Sequence, residues 1–246
     1  MSDFFWTPNV DYIENANATR LMRAHGFGDY RELVERSQED PEWFWNAVVK
    51  DLGLEFTTPY TQVLNDSGGP AWPKWFVGGR VNLTQNCIDR HLPQRAGAPA
   101  IVWEGEDGEM RTLTYADLAD GVARCANLLL ALGVEQGDVV AVFMPMVPEN
   151  IMAAYAIARV GAIYLPIFSG FGAPAIATRL NDSGAKVLVT ADAFYRRGTK
   201  VSMKQTADEA VAASSSVQRV VVYRRFPEDT TPMGDRDVDW AEAMAG

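Results

Sequence analysis

Cysteine, histidine and long apolar runs are all scarce in this 246-residue chain, and each scarcity closes off a class of protein. Two cysteines, Cys87 and Cys125, cannot build a disulfide framework, and no four-ligand Cys/His set exists for structural zinc. A membrane span needs about 18 apolar residues; the best run, Ile151 to Phe168, is cut by Arg159, Gly161 and Pro166. The opening stretch MSDFFWTPNVDYIENANATR has neither the basic region nor the apolar core of a secretory signal. The expectation is a cytoplasmic protein with no membrane partner. Motifs of self-contained catalysis are absent too: there is no GxxxxGK[ST], GxSxG or HExxH, no paired-carboxylate motif and no complete GxGxxG fingerprint. That last absence disfavours a nicotinamide-dependent dehydrogenase. His25 and His91 sit at expected helix ends, where they complement the dipole, and the two thiols fall among apolar helix neighbours as inert groups. No catalytic residue and no metal site is expected within the chain.

What is present is ordinary globular composition, 48% hydrophobic and 22% charged, with a formal net charge of −10. That balance argues against a nucleic-acid or anionic-membrane binder. The distribution is uneven: residues 1–60 are net −6, residues 185–225 net +5 and residues 226–246 net −5. The basic island reads either as a local anion site or as a solvated face.

The first 55 residues have helical character. Asp40 as N-cap, Pro41 at the first turn and Gly53 past the end enclose EWFWNAVVKDL, whose Trp43, Phe44, Ala47 and Val48 share one face. An earlier helix is expected from Val10 to His25. Residues 56–80 read as an irregular strap or binding loop carrying Trp72, Trp75 and Phe76, followed by a short helix capped by Thr84 and stopped before Pro93. From residue 100 the pattern changes. A hairpin turns at Asp107-Gly108, and Thr114 with Asp117 forms a capping box for a helix running to Leu132. Continuous apolar strands at Val139–Phe143, Ala162–Ile167, Lys186–Thr190 and Arg219–Tyr223 then alternate with helices at Pro148–Val160, Pro174–Asp182 and up to Ala213. This predicts an α/β fold: a doubly wound, mostly parallel sheet with helices on both faces, preceded by a helical N-terminal extension.

Ligands of such sheets sit outside the carboxyl ends of the strands. The loop Phe168-Ser169-Gly170-Phe171-Gly172 can bring backbone close to a ligand or can be a structural turn. The cations Arg196, Arg197 and Lys200, with Lys204, follow a strand end and could hold a phosphate.

Three stretches carry a family resemblance: WFVGGRVNLTQNCIDRH from Trp75, LTYADLADGVARCANLLLALGVEQGDVVAVFMPMVPENIMAAYAIARVGAIYLPIFSGF from Leu113, and RLNDSGAKVLVTADAFYRRG from Arg179. They resemble the N-terminal part of acetyl-CoA synthetases and related AMP-forming acyl-CoA synthetases of the adenylate-forming superfamily. The resemblance implies residues 1–99 as a helical extension and strap packing on the body, and residues 100–246 as the start of the large adenylate-forming domain, incomplete at its C-terminus. It implies a ligase that uses ATP with magnesium to activate a short-chain carboxylic acid as acyl-AMP, then transfers the acyl group to coenzyme A. The family's phosphate-gripping loop, acyl pocket and catalytic lysine lie beyond the matched region, so a fragment inactive on its own is expected. A free-standing, non-catalytic nucleotide- or protein-binding module is the alternative. By resemblance, Arg196 matches the first arginine of a coenzyme A-binding Arg-x-x-Arg, with Thr199 in place of the second and Arg197 and Lys200 flanking it. Phe168, Ser169 and Gly170 match the loop against the coenzyme A nucleotide, with Ser169 replacing a usual glycine.

Overall fold

The computed structural model describes residues 6–245. The first five residues of the expected N-terminal extension, and Gly246, lie outside the described residues. The chain divides into two compact units, one ending at Val81 and the other beginning at Asn82.

The first unit is helical. The helix expected from Val10 to His25 is two helices, α1 (Val10–Asn15) and α2 (Asn17–Ala24), because Ala16 between them is extended at ψ 138°. Two further helices follow, α3 (Tyr30–Glu39) and α4 (Pro41–Asp51). Asp29 and Asp40 cap these two, accepting from the backbone N–H of Glu32 and Trp43 at 3.0 Å each. Gly53 ends α4 at φ +59° as its sequence position demanded. Leu21, Leu33 and Ala47 are buried, and Trp43, Phe44 and Val48 pack against them. Residues 56–80, expected to be irregular, contain an antiparallel pair, β1 (Gln62–Asn65) and β2 (Lys74–Val77). Trp72 anchors nothing there, since it is 78% exposed.

The second unit opens with α5 (Leu83–Cys87), a 3₁₀ turn at Asp89–His91 and α6 (Leu92–Arg95). Two local expectations are corrected here. The cap of α5 is Asn82, whose side-chain oxygen accepts from the N–H of Thr84 at 2.9 Å, while the buried Thr84 hydroxyl donates instead to the Tyr155 carbonyl at 2.7 Å. Pro93 does not stop the helix; it sits in the first turn of α6, where a missing N–H costs nothing. The hairpin β3 (Pro99–Glu104) and β4 (Met110–Thr114) turns with Gly108 at φ +82°, and the Thr114–Asp117 capping box starts α7 (Tyr115–Ala131).

Next come β5 (Val139–Phe143), α8 (Pro148–Arg159), β6 (Ile163–Pro166), α9 (Ala173–Ser183) and β7 (Val187–Ala191). The basic stretch expected to run straight into a helix forms a two-stranded hairpin first, β8 (Ala193–Arg196) and β9 (Thr199–Ser202). After it lie α10 (Lys204–Ala212), β10 (Arg219–Tyr223), the unforeseen β11 (Asp237–Asp239) and α11 (Trp240–Met244). The main sheet has the order β11-β10-β7-β5-β6, and every pairing in it is parallel. Alternate residues of β5 face opposite cores. Val140 and Val142 pack with α7 and α8, whereas Ala141 and Phe143 pack with α9 and α10. Helices therefore cover both faces, which is why the strands read as unbroken apolar runs. The chain passes from β5 to β6 on one side and returns to β7 on the other, so the topological switch point lies at β5.

Beyond β7 the chain is gathered by one carboxylate. Asp192 is 4% exposed, and its oxygens accept from the backbone N–H of Ala193 at 2.6 Å and of Arg225 and Phe226 at 3.0 Å each. Replacing Asp192 with alanine leaves those amides without their acceptor and should cost about 3 kcal/mol. Urea unfolding at unchanged m-value measures it, and an unchanged midpoint would show that water replaces the carboxylate without loss.

Candidate functional site

The carboxyl ends of β5, β6 and β7 open into a cavity of about 280 Å³. Pro145 and Met146 enter it from the loop after β5, Phe168 and Ser169 from the loop after β6, Arg196 from the end of β8 and Arg225 from beyond β10. The β3–β4 hairpin closes one side with Trp103 and Glu106. Each sheet strand thus delivers its group through the loop at its C-terminal end, at the switch point where open α/β sheets hold ligands.

Several contacts fix the walls. Trp103 Nε1 donates to the Met146 carbonyl at 2.6 Å, tying the hairpin to the loop after β5. The guanidinium of Arg225 lies 5.3 Å from the Trp103 ring, 5.6 Å from Tyr195 and 5.5 Å from Phe226. It also pairs with Asp107 at 2.9 Å, and its side chain is only 8% exposed. Arg225 is a built-in strut, committed to the protein. Nearby, Arg111 holds the buried Glu149 carboxylate at 2.6 and 3.2 Å, and burial pushes the Tyr223 phenol beside them up to about 12, so it stays neutral.

Arg196 is different. Among the described residues its guanidinium has no hydrogen-bond or ion-pair partner. A side chain at Gly170 would place a Cβ 2.6 Å from the Phe168 ring and 3.1 Å from Arg196 Nη1, so only glycine leaves room for this arrangement. Phe168 itself is 59% exposed at the rim and makes an edge-to-face contact with Phe171, at 5.5 Å between centroids.

Of the residues singled out from sequence, the fold brings Phe168, Ser169, Gly170 and Arg196 together. It separates the side chains of Arg197 and Lys200 from them. Arg196 pairs across the hairpin with Thr199, and Tyr195 with Lys200, so strand alternation sends Lys200 to the other face. There the ammonium pairs with Asp229 and lies 3.7 Å from the Phe226 ring centroid; its hydrogen bond to Asp229 raises its pKa. The cavity on that side is larger, about 630 Å³, but its two lysines are already matched by Asp208, Asp229 and Asp237. Arg197 occupies the exposed turn at φ +53°. Sequence reasoning missed Arg225 and Glu106, whose parts depend on contacts across about a hundred residues of chain that no local spacing signals.

Residues 88–244 match the family described as AMP-binding enzyme, and residues 30–87 match the acetyl-coenzyme A synthetase N-terminus. The acetyl-coenzyme A synthetase of Mycolicibacterium smegmatis is 42% identical over 97% of this chain, which spans 24% of that protein. The 3-hydroxypropionyl-coenzyme A synthetase of Sulfurisphaera tokodaii is 43% identical over 87% of the chain, spanning 33% of that protein. The solved acetoacetyl-CoA synthetase from Streptomyces lividans superposes with a TM-score of 0.89 at 29% identity, covering 98% of this chain and 38% of that one. The chain therefore spans between a quarter and two-fifths of these relatives' length.

The strut is open to test. Arg225→Ala removes three ring contacts and the Asp107 pair, and should cost about 2 kcal/mol while speeding amide exchange at Gly105 and Gly108. Unchanged exchange there would mean the hairpin is held without Arg225. By the match over residues 88–244, the chain belongs to the AMP-binding enzyme family, with a second, N-terminal match to acetyl-coenzyme A synthetase.

Proposed function

We propose that this chain is the N-terminal part of an acid–CoA ligase. The whole enzyme would activate a short-chain carboxylic acid with ATP and magnesium, forming acyl-AMP and pyrophosphate, and then transfer the acyl group to the thiol of coenzyme A in the cytoplasm. In this reading residues 1–99 form the extension and strap, and residues 100–246 begin the large domain. The chain's own task is to dock the nucleotide end of coenzyme A. Phe168, Ser169 and Gly170 supply the surface for it, and Arg196 supplies the charge.

The observation that carries the reading is the unpaired Arg196 guanidinium, set beside a glycine that leaves it room, at the carboxyl edge of the sheet. Coenzyme A presents a diphosphate and a 3′-phosphate, and arginine binds phosphate through two parallel donors. Arg197, exposed in the turn beside Arg196, contributes through field rather than contact, while the charge of Lys200 is matched by Asp229. Adenylation is assigned to residues outside the chain, because stabilising the transferring phosphates needs a positioned cation and donor loop.

Two measurements test this. Acid-dependent pyrophosphate–ATP exchange should be absent from the purified chain, and measurable exchange would refute the division of labour. Calorimetric titration should detect coenzyme A with a Kd on the order of 0.1–1 mM, weakening as salt rises. Arg196→Glu should abolish it. The same reversal at Arg219, exposed at the opposite end of β10, should leave it within twofold. Equal affinity for wild type and Arg196→Glu would return the basic island to a solvated face.

A further inference from the structure

One anion is already seated at the mouth of this cavity. The turn of the β8–β9 hairpin consists of Arg197 at φ +53° and Gly198 at φ +73°, closed by the Arg196–Thr199 pair. In such a two-residue turn the two central amides point outward and have no partner within the hairpin. Here both donate to one side chain: Arg197 N–H to Oε1 of Glu106 and Gly198 N–H to Oε2, each at 3.1 Å. The carboxylate thus sits across two adjacent backbone donors, the arrangement by which turn amides hold phosphate oxygens. The unpaired Arg196 immediately precedes the turn, and Glu106 and Arg196 line the same cavity.

Neither hairpin needs this contact to keep its shape. The β8–β9 turn is set by its positive φ angles and by four registered pairs from Ala193–Ser202 to Arg196–Thr199. The β3–β4 turn is held by Gly105 N–H to the Glu109 carbonyl at 2.8 Å and by the Asp107–Arg225 pair. Among the described residues Glu106 has no cationic partner. A carboxylate matched only by amides, beside a free guanidinium, occupies the place of a ligand.

We propose that the Arg197 and Gly198 amides are an anion seat for a phosphoryl group of the bound nucleotide, and that Glu106 is the resident anion displaced when the phosphoryl group arrives. The identification of that nucleotide with coenzyme A rests on the functional reading above; the seat itself does not. Glu106 then acts as a gate. It competes for the two donors and repels an incoming phosphate, so its charge lowers affinity at this position.

The direct test follows the Arg197 and Gly198 amide resonances during titration with inorganic pyrophosphate. Removing one like charge about 6 Å from the bound anion at intermediate dielectric corresponds to roughly tenfold in affinity. Glu106→Gln should therefore move both resonances with half-saturation at about one-tenth the wild-type concentration. Glu106→Asp, which keeps the charge but is too short to bridge both donors, should fall between them. A thermal melt within about 2 °C of wild type should accompany each variant, as expected of an exposed turn residue. Equal or weaker binding by Glu106→Gln would show that Glu106 braces the hairpin, and resonances unmoved in every variant would show that there is no seat. A parallel titration with coenzyme A separates the two readings: amides that respond to pyrophosphate but never to coenzyme A would leave the seat standing and remove the coenzyme A assignment.

Discussion

The cavity exists because a buried carboxylate holds the chain where β7 ends. Asp192 lies between the sheet and everything that decorates its carboxyl edge. Its N–H donates to the Tyr223 carbonyl at the end of β10, and its own carbonyl accepts from Met203 and Lys204 at the start of α10. Its side chain collects Ala193, Arg225 and Phe226. Six backbone groups from three segments thus converge on one residue, and an apolar side chain there would leave the three amides of Ala193, Arg225 and Phe226 unpaired. The same residue launches the hairpin that carries Arg196 and fixes the start of the segment that carries Arg225. A second buried tie, Lys204 to Asp237 at 2.7 Å with both side chains 4% exposed, secures α10 to β11.

Given that framework, the charges sort themselves by face. The basic island of the sequence is not one site. Lys186 pairs with Asp138, Lys200 with Asp229, Lys204 with Asp208 and Asp237, and Arg225 with Asp107. Most of the excess positive charge in residues 185–225 is thereby matched by acids elsewhere in the chain. Among the described residues, what remains unmatched at the cavity is Arg196, while the Glu106 carboxylate rests on the amides of the two residues that follow Arg196 in the chain, Arg197 and Gly198. A paired cation offers an incoming phosphate little, because it must first give up its partner, whereas an unpaired one needs only desolvation.

Much of this was legible from local sequence, and the rest failed for physical reasons. The capping box at Thr114 and Asp117, and the glycines ending α4 and α7, are decided by the backbone within a few residues, so they read directly. The strands β5, β7 and β10 read because burial on both sides makes them uniformly apolar. The β8–β9 hairpin escaped because β9 is exposed throughout and has no apolar pattern; its one signal was Gly198 closing a two-residue turn. β11, as Asp-Val-Asp, is too short and too polar to register. In the candidate site, Phe168, Gly170 and Arg196, which the fold gathers at one cavity, were singled out through strand ends and family resemblance. Lys200 was grouped with them by proximity in sequence, which ignores that adjacent hairpin pairs face opposite ways. Arg225 and Glu106 are defined by contacts between distant elements and could only be seen once the chain was folded.

The central claim is that the cavity at the end of β5, β6 and β7 receives the phosphate-bearing end of a nucleotide through Arg196. A crystal structure of the chain with adenosine 3′,5′-bisphosphate addresses it most directly. The account predicts a phosphate within hydrogen-bond distance of the Arg196 guanidinium, with the adenosine against Phe168 and Gly170. A phosphate beside Lys200 in the larger cavity, with Arg196 still facing solvent, would contradict it.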